Sequence, residues 1–361
     1  MEASILALAT EVPKFGFSQE EIAEKFIDIL SLDQERAKMI RQLYQNSAIL
    51  QRYSVIEDFQ KERSEWSFWG KEFPKTIPGM AKRNDLYKVE APKLALAAAR
   101  KALADWGGDA HAITHVISVS CTGMIAPGIE FSLMQGLQLR PSTQRLGINF
   151  MGCFGAFKGL SVAQSFAKEN PKNRVLVVCT ELCSLHFQVD QTPDNILANS
   201  LFSDGAAAIL IGAEPKSFEQ AHWTIQNTGS LGLENTTEKM QWEAGDLGFV
   251  MKLSHTVPVL LGRKIGSFID SLVTSDFSAI DCDWAIHPGG KSIIQVLEKT
   301  LNIPKGLTKA SWETLANYGN MSSATFLFVL KNILEQKSPR KWTLGLGFGP
   351  GLSVEGILLK K

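Results

Sequence analysis

The chain of 361 residues carries 37 Lys and Arg against 37 Asp and Glu, a balance that argues against nucleic-acid binding or a broadly basic membrane-binding surface. Single cores stop growing at roughly 250–300 residues, so with 45% hydrophobic residues two domains or one duplicated pair of halves is expected. Five cysteines, at 121, 153, 179, 183 and 282, form no C-x-x-C pair and no zinc-type array, which fits a reducing cytoplasm and gives no support to a metal site. Met1 to Thr10 lacks a basic lead, Glu11-Val12-Pro13 breaks it, and no apolar run approaches the roughly 18 residues of a membrane span.

In chain order, Ser4 to Thr10 reads as a buried strand and Gln19 to Leu50 as helix, with Ser18 as N-cap before Glu20-Glu21. Phe59 to Tyr87, rich in Trp, Pro, Lys and Glu, has no period and reads as an irregular cover. Ala91 to Trp106 is helical, Ile113 to Ser120 a buried strand, and Ile129 to Leu137 a helix. Leu146 to Phe150 is a short strand, and Gly155 to Ala167 a helix of small and apolar residues continuing to Glu169. Arg174 to Cys179 is an uninterrupted apolar strand of the kind covered on both faces. Leu185 to Ala198 reads as a loop and Ala206 to Gly212 as a strand.

Near Glu214-Pro215 the order starts again. Trp223 to Thr228 is a strand, Val257 to Val273 a helix, Asp283 to Ile286 a strand, Ser322 to Glu335 a helix, and two strands flank Gly347 to Gly351. The strand-to-helix residues Cys153 and Asn320, and the strand-end residues Ser120 and His287, show one offset: 320 − 153 and 287 − 120 both give 167. An internal duplication follows, with halves at 1–215 and 216–361 and two α/β halves packed as layers.

Cys153 stands between a strand and a helix N-terminus, where unpaired N–H groups and the dipole favour a thiolate. A cysteine among apolar residues is equally a small buried hydrophobe. His287, before Pro288-Gly289-Gly290, is either a structural histidine or a base, and Asn320, one residue after a glycine, is either an N-cap or an amide donor. If the halves pack around a pseudo-twofold axis, equivalent strand tips converge and the three meet. Imidazole then keeps the thiol ionised or takes its proton, while the amide donates to an oxygen that becomes negative. Lys38 and Arg41, with Arg36, mark one helical stretch that either meets phosphates or is a solvated face.

Gly152-Cys153-Phe154, Ile286 to Gly290, Tyr318 to Ala324 and Gly347-Phe348-Gly349-Pro350-Gly351 together resemble the chalcone synthase-like type III polyketide synthases of the thiolase superfamily. The similarity runs from about residue 90 to the C-terminus and is fainter before it. The resemblance implies a thiolase-like, duplicated αβαβα fold and a homodimer that condenses coenzyme A thioesters iteratively without a cofactor. It implies that Cys153 carries the starter acyl group, and that His287 and Asn320 hold the thioester oxygen of malonyl-CoA during decarboxylation. Phe202 matches a gatekeeper aromatic between the coenzyme A tunnel and the cavity, although it reads equally as core. Thr122, Ser322, Gly349 and Pro350 fall in the matching cavity-shaping stretches, and Lys38 and Arg41 near the helix face expected to meet coenzyme A.

The departures bear on substrate. Met251 stands for a second gatekeeper phenylalanine, Cys121 and Cys183 for threonines of the plant cavity, and His186 for a small polar residue. These resemble bacterial members, which prime with aliphatic acyl-CoA or malonyl-CoA and release pyrones, resorcinols, phloroglucinols or naphthalenes. The alternative is a β-ketoacyl-acyl carrier protein synthase III-like enzyme, which shares Cys, His and Asn but lacks the Gly-Phe-Gly-Pro-Gly stretch. A papain-like hydrolase also uses the three residue types, but the Cys-Gly-Ser-Cys-Trp run is absent.

Overall fold

A computed structural model describes residues 1–361. The first half runs β1 (Ala3–Glu11), β2 (Phe15–Ser18), α1 (Gln19–Ile29), α2 (Gln34–Gln45), β3 (Gln51–Ser54), α3 (Met80–Trp106), β4 (His115–Ser120), α4 (Ile129–Gly136), β5 (Gln144–Asn149), α5 (Gly155–Glu169), β6 (Arg174–Leu182), α6 (Pro193–Leu201) and β7 (Asp204–Ala213). The second runs β8 (Trp223–Gly232), β9 (Met240–Gly245), β10 (Gly248–Leu253), α7 (Val257–Leu272), β11 (Cys282–Ile286), α8 (Lys291–Thr300), α9 (Lys309–Tyr318), α10 (Thr325–Glu335), β12 (Trp342–Gly349) and β13 (Ser353–Lys360).

Nine strands join in the order β11-β12-β13-β8-β1-β7-β6-β4-β5, and the duplication is written in it. Outward from the antiparallel β1·β8 contact, each half adds an antiparallel strand (β7 or β13), a further antiparallel one (β6 or β12), then a parallel one (β4 or β11). Only the first half has a further edge strand, β5, parallel to β4. The offset is not uniform: 3₁₀ turns start at Gly152 and Ser322 and helices at Gly155 and Thr325, so 322 − 152 and 325 − 155 give 170 rather than 167.

Side-chain alternation builds the layers. On β6, Val175, Val177 and Cys179 face a central core with α5 and α10, whereas Leu176, Val178 and Leu182 face α3 on the outside. In the second half Trp342, Leu344 and Leu346 of β12 pack outward with α7 and α8. The result is an αβαβα stack. The middle helices are held close because α5 has glycines where it touches the sheet: a Cβ on Gly159 would lie 2.8 Å from Val177 and one on Gly155 2.7 Å from Val119. Phe157 and Phe326 meet between α5 and α10 with ring centroids 4.1 Å apart. Burying each such ring contributes about 1.5–3 kcal/mol.

Several elements depart from the sequence expectation. The helix expected over 19–50 breaks in two because the Asp33 carboxylate accepts from Arg36 N at 2.9 Å and starts α2 afresh, and β3 follows it. The cover segment becomes α3 at Met80, eleven positions before the expected start, and Pro92 is accommodated inside that helix. The loop expected over 185–198 holds α6, opened by Thr192 as N-cap and Pro193 in the first turn. The β9–β10 ribbon and helices α8 and α9 were not anticipated. Gly347 to Gly349 belong to β12, so the turn beside them is shorter than the expected five-residue loop.

Candidate active site

Cys153 sits in the 3₁₀ turn that leads into α5 and is 8% exposed. Gly152 before it has φ +73°, and a Cβ there would lie 2.5 Å from Pro350 Cδ. Gly349 has the same function from the other side, since a Cβ on it would meet the Phe154 ring at 2.6 Å. The glycine-rich end of β12 therefore acts by close approach to the cysteine turn. Pro350 lines a narrow slot beside Cys153; Gly349 lines none of the cavities and works only as a space-giver.

His287 follows β11 and extends its ladder, donating its backbone N–H to Leu346 O at 2.8 Å. Its ring is 1% exposed, and neither Nδ1 nor Nε2 has a hydrogen-bond partner. Asn320 is pinned more firmly. Its N–H donates to Leu201 O (2.9 Å), its carbonyl accepts from Ser203 N (2.9 Å), and its Oδ1 accepts from Ser322 N (2.9 Å). The capping interpretation of Asn320 holds in part, because that oxygen is committed to the following turn. Its Nδ2 has only a long bond to Gly289 O, 3.3 Å. Cys153, His287 and Asn320 line one cavity of about 360 Å³.

Burial sets the electrostatics. It pushes the Cys153 thiol up to about 11, against a smaller lowering by Ser322 and Asn320, and pushes His287 down to about 3. Each group alone is thus neutral at pH 7, so helix-terminus position does not by itself yield the thiolate expected from sequence. An ion pair between them has to be made by each charging the other.

Three cavities meet here. Phe202 and Met251 line all of them: the catalytic cavity, the narrow slot with Cys121, Thr122, Cys183 and Ser322, and a mainly apolar side chamber of about 70 Å³. The bland interpretation of Phe202 as core gives way to a position at the junction. Two family models match the sequence: the chalcone and stilbene synthase N-terminal domain over residues 1–215 and the C-terminal domain over residues 225–361. The chain belongs to the chalcone and stilbene synthase family.

Within this family the chain is 34% identical over 363 residues to "Probable polyketide synthase 1" of Dictyostelium discoideum, covering 99% of this chain and 11% of that much longer protein. It is 31% identical over 364 residues to "Alpha-pyrone synthesis polyketide synthase-like Pks18" of Mycobacterium tuberculosis, covering 99% of this chain and 90% of that one. Among solved structures it resembles the C-terminal type III polyketide synthase domain of the Dictyostelium hybrid Steely1 (TM-score 0.94, 34% identity, 100% of this chain and 99% of that one). It also resembles PKS-I of the brown alga Ectocarpus siliculosus (TM-score 0.93, 27% identity, 100% and 98%). The protein is an acyl-transferring enzyme of the type III polyketide synthase kind.

Other residues singled out from sequence fall into different positions in this family fold. His186 lines the side chamber, not the catalytic cavity, and its ring is fixed: Nδ1 accepts from Phe249 N (3.0 Å), which makes Nε2 the protonated nitrogen that donates to Thr122 O (2.8 Å). Thr122 is spent as well, donating to Glu181 (2.8 Å) and accepting from Leu182 N (2.9 Å). Lys38 and Arg41 line none of the cavities, and Arg41 makes a two-pronged pair with Glu24 at 2.6 and 2.7 Å.

Two residues escaped the sequence reading. Glu181 is fully buried at the end of β6, accepting from Cys121 N (3.0 Å), Ser323 Oγ (2.5 Å) and Thr122, and burial raises its pKa. It also engages the Cys121 thiol (3.3 Å), which lies 3.2 Å from Ser322 Oγ. An acid closing an apolar strand was the available signal. Trp242 pairs with Met251 across β9–β10 and donates Nε1–H to Cys121 O at 2.7 Å, fixing the ribbon over the slot. No period marked that ribbon.

Proposed function

We propose that the enzyme runs an iterative decarboxylative Claisen condensation on coenzyme A thioesters, using Cys153, His287 and Asn320. The carrying observation is His287, buried with both ring nitrogens free beside Cys153 and Asn320 in one cavity. A buried imidazole without partners costs free energy unless something arrives to use them. The Cys153 sulfur attacks the acyl carbonyl, coenzyme A leaves as its thiol, and the acyl group stays as a thioester. His287 pairs with the thiolate before this step. With malonyl-CoA bound, His287 and the Asn320 amide donate to the thioester oxygen, CO₂ departs, and the resulting enolate attacks the Cys153 thioester and regenerates the thiolate. Repetition and ring closure give a pyrone, resorcinol, phloroglucinol or naphthalene-type product. The condensation draws on the thioesters alone and needs no cofactor.

The starter is an aliphatic acyl-CoA. The side chamber behind Phe202 and Met251 supports this, since Ile22, Ile56, Phe59, Trp69 and Phe187 line it, and a flexible methionine gate adapts to a chain. The halves 1–215 and 216–361 divide the work, the first supplying the nucleophile and the second His287 and Asn320. A homodimer is supported by β5, an uncovered edge strand that carries exposed Leu146 and is followed by exposed Phe150 and Met151. Five free cysteines fit a reducing cytoplasm; no helix is long and apolar enough to cross a membrane.

The test is Cys153→Ala, assayed by mass spectrometry of products from a panel of acyl-CoA starters with malonyl-CoA. Condensation falls by roughly 10⁴-fold or more while circular dichroism and melting stay as in the wild type. Polyketide formed by this variant, or by the wild type only from malonyl-acyl carrier protein, would overturn the reading.

A further inference from the structure

We infer that Cys121 is the resolving partner of Cys153 in a reversible disulfide, so that hydrogen peroxide switches condensation off and a small thiol switches it back on. This role rests on the reading of Cys153 as a thiolate paired with His287, and it employs Cys121 and Glu181, which condensation leaves idle.

Three of the five free cysteines, Cys121, Cys153 and Cys183, line the same narrow slot. The slot has a volume of about 20 Å³, room for about one water molecule or one peroxide. Two of the three thiols share a partner. Ser322 Oγ lies 3.2 Å from Cys121 Sγ and also hydrogen-bonds the Cys153 thiol, so a single hydroxyl stands between the two sulfurs. Cys183 lines the slot but forms no side-chain hydrogen bond with Ser322 or Glu181.

The two linked thiols are unlike, and the difference divides the work. Peroxide reacts with a thiolate, and Cys153 is the thiol that shares its cavity with an imidazole. Cys121 faces a carboxylate instead: its Sγ donates to Glu181 Oε1 at 3.3 Å, and burial together with that charge keeps it protonated. Cys121 is therefore inert to peroxide yet stands beside a base. The hydrogen-bond partners of Glu181 are Ser120, Cys121, Thr122 and Ser323, all neutral donors, and burial raises its affinity for a proton.

The Cys153 thiolate attacks one peroxide oxygen, the O–O bond breaks, and the departing hydroxide takes a proton from the His287 imidazolium and leaves as water. Cys153 is then a sulfenic acid. Cys121 passes its proton to Glu181 and attacks the Cys153 sulfur; the S–O bond breaks, and the hydroxide recovers that proton and leaves as a second water. Two thiol sulfurs are oxidised and one peroxide is reduced. The Ser322 hydroxyl swings aside as the sulfurs close to about 2.05 Å. A bridged Cys153 carries no acyl group, and it is shielded from the further peroxide that turns a sulfenic acid irreversibly into a sulfinic acid.

The experiment exposes the reduced enzyme to hydrogen peroxide, then to dithiothreitol, and follows Cys153 by peptide mass spectrometry, with thermal melts to confirm that each variant is folded. In the wild type a Cys121–Cys153 peptide pair appears as condensation stops, and dithiothreitol restores both the free thiol and turnover. In Cys121→Ser no pair forms, sulfinic acid accumulates at Cys153, and the free thiol recovered falls about tenfold. Cys183→Ser forms the pair as the wild type does, whereas Glu181→Gln forms it about tenfold more slowly. Wild-type recovery of Cys153 in Cys121→Ser, a bridge made through Cys183, or a wild-type Cys153 that passes directly to sulfinic acid would overturn the assignment. The mass readout needs no turnover, so a bridge in an enzyme that forms no polyketide would fail the condensation mechanism alone.

Discussion

Two buried histidines separate the part of this molecule that reacts from the part that holds shape. His287, at the tip of β11 in the second half, and His186, after β6 in the first, are 1% and 6% exposed, and burial lowers the pKa of both. His186 has one ring nitrogen donating to Thr122 O and the other accepting from Phe249 N. It stacks on Phe249 with centroids 4.4 Å apart, so it ties the β9–β10 ribbon to the first half. His287 has neither bond. Equal burial therefore does not mean equal function: a satisfied imidazole is scaffold, and an orphaned one is held ready for a group that comes and goes.

The largest effect that tests this contrast is catalytic. His287→Ala lowers decarboxylation of malonyl-CoA by about 10²–10⁴-fold with little change in melting temperature. His186→Ala does the reverse: it costs about 2–4 kcal/mol of stability by leaving Phe249 N and Thr122 O unpaired, while kcat at permissive temperature stays within a few-fold. Radiolabelled CO₂ release and thermal melts on both variants decide it. Loss of turnover in folded His186→Ala, matching that of His287→Ala, would erase the distinction.

Sequence alone makes the position of both histidines legible, but the ring partners of neither. His287 was readable because Pro288-Gly289-Gly290 follows it at a strand tip and the repeat offset brings it to Cys153. His186 lines the side chamber, as its resemblance to a cavity position implies, but its ring partners, Thr122 O and Phe249 N, are backbone atoms that no side-chain identity reports. The same reason hid the β9–β10 ribbon: Met240 to Leu253 alternates poorly because one face covers the cavity slot and the other is partly exposed. The layered fold was visible because Val175 to Cys179 of β6 form an uninterrupted apolar run, a pattern that a sheet covered on both faces demands, and because strands alternate with helices in both halves. What occupies Arg41 was not legible either, since Glu24, the acid that pairs with it, comes from the neighbouring helix.

A sharper test follows the proton between Cys153 and His287. Alone, the thiol is pushed by burial to about 11. Pairing with imidazolium favours the thiolate, so the rate of inactivation by iodoacetamide in the wild type turns on below the roughly 8.5 of free cysteine. His287→Gln removes the charge and leaves burial dominant, and the inflection moves upward by two or more units. His186→Gln leaves it in place. An inflection near that of free cysteine in all three proteins would mean that the two groups do not communicate.

The smallest effect is the most specific to the scaffold histidine, and its sign follows from proton counting. Burial holds His186 near 4 against 6.5 when exposed. Between those two values the unfolded chain binds a proton that the native chain refuses, so acidification stabilises the unfolded state. Native stability is therefore unaffected above about pH 6.5 and falls progressively to about pH 4, by about 3 kcal/mol from this one residue. His186→Gln cannot titrate. Its denaturation midpoints, lower than the wild type's at pH 7 because the bonds to Thr122 O and Phe249 N are remade imperfectly, converge on the wild type's as pH drops to 4. Urea titrations at half-unit pH steps measure this as a closing gap. A gap that stays parallel across the window would mean that His186 titrates as an exposed histidine and that its two hydrogen bonds do not fix it as neutral.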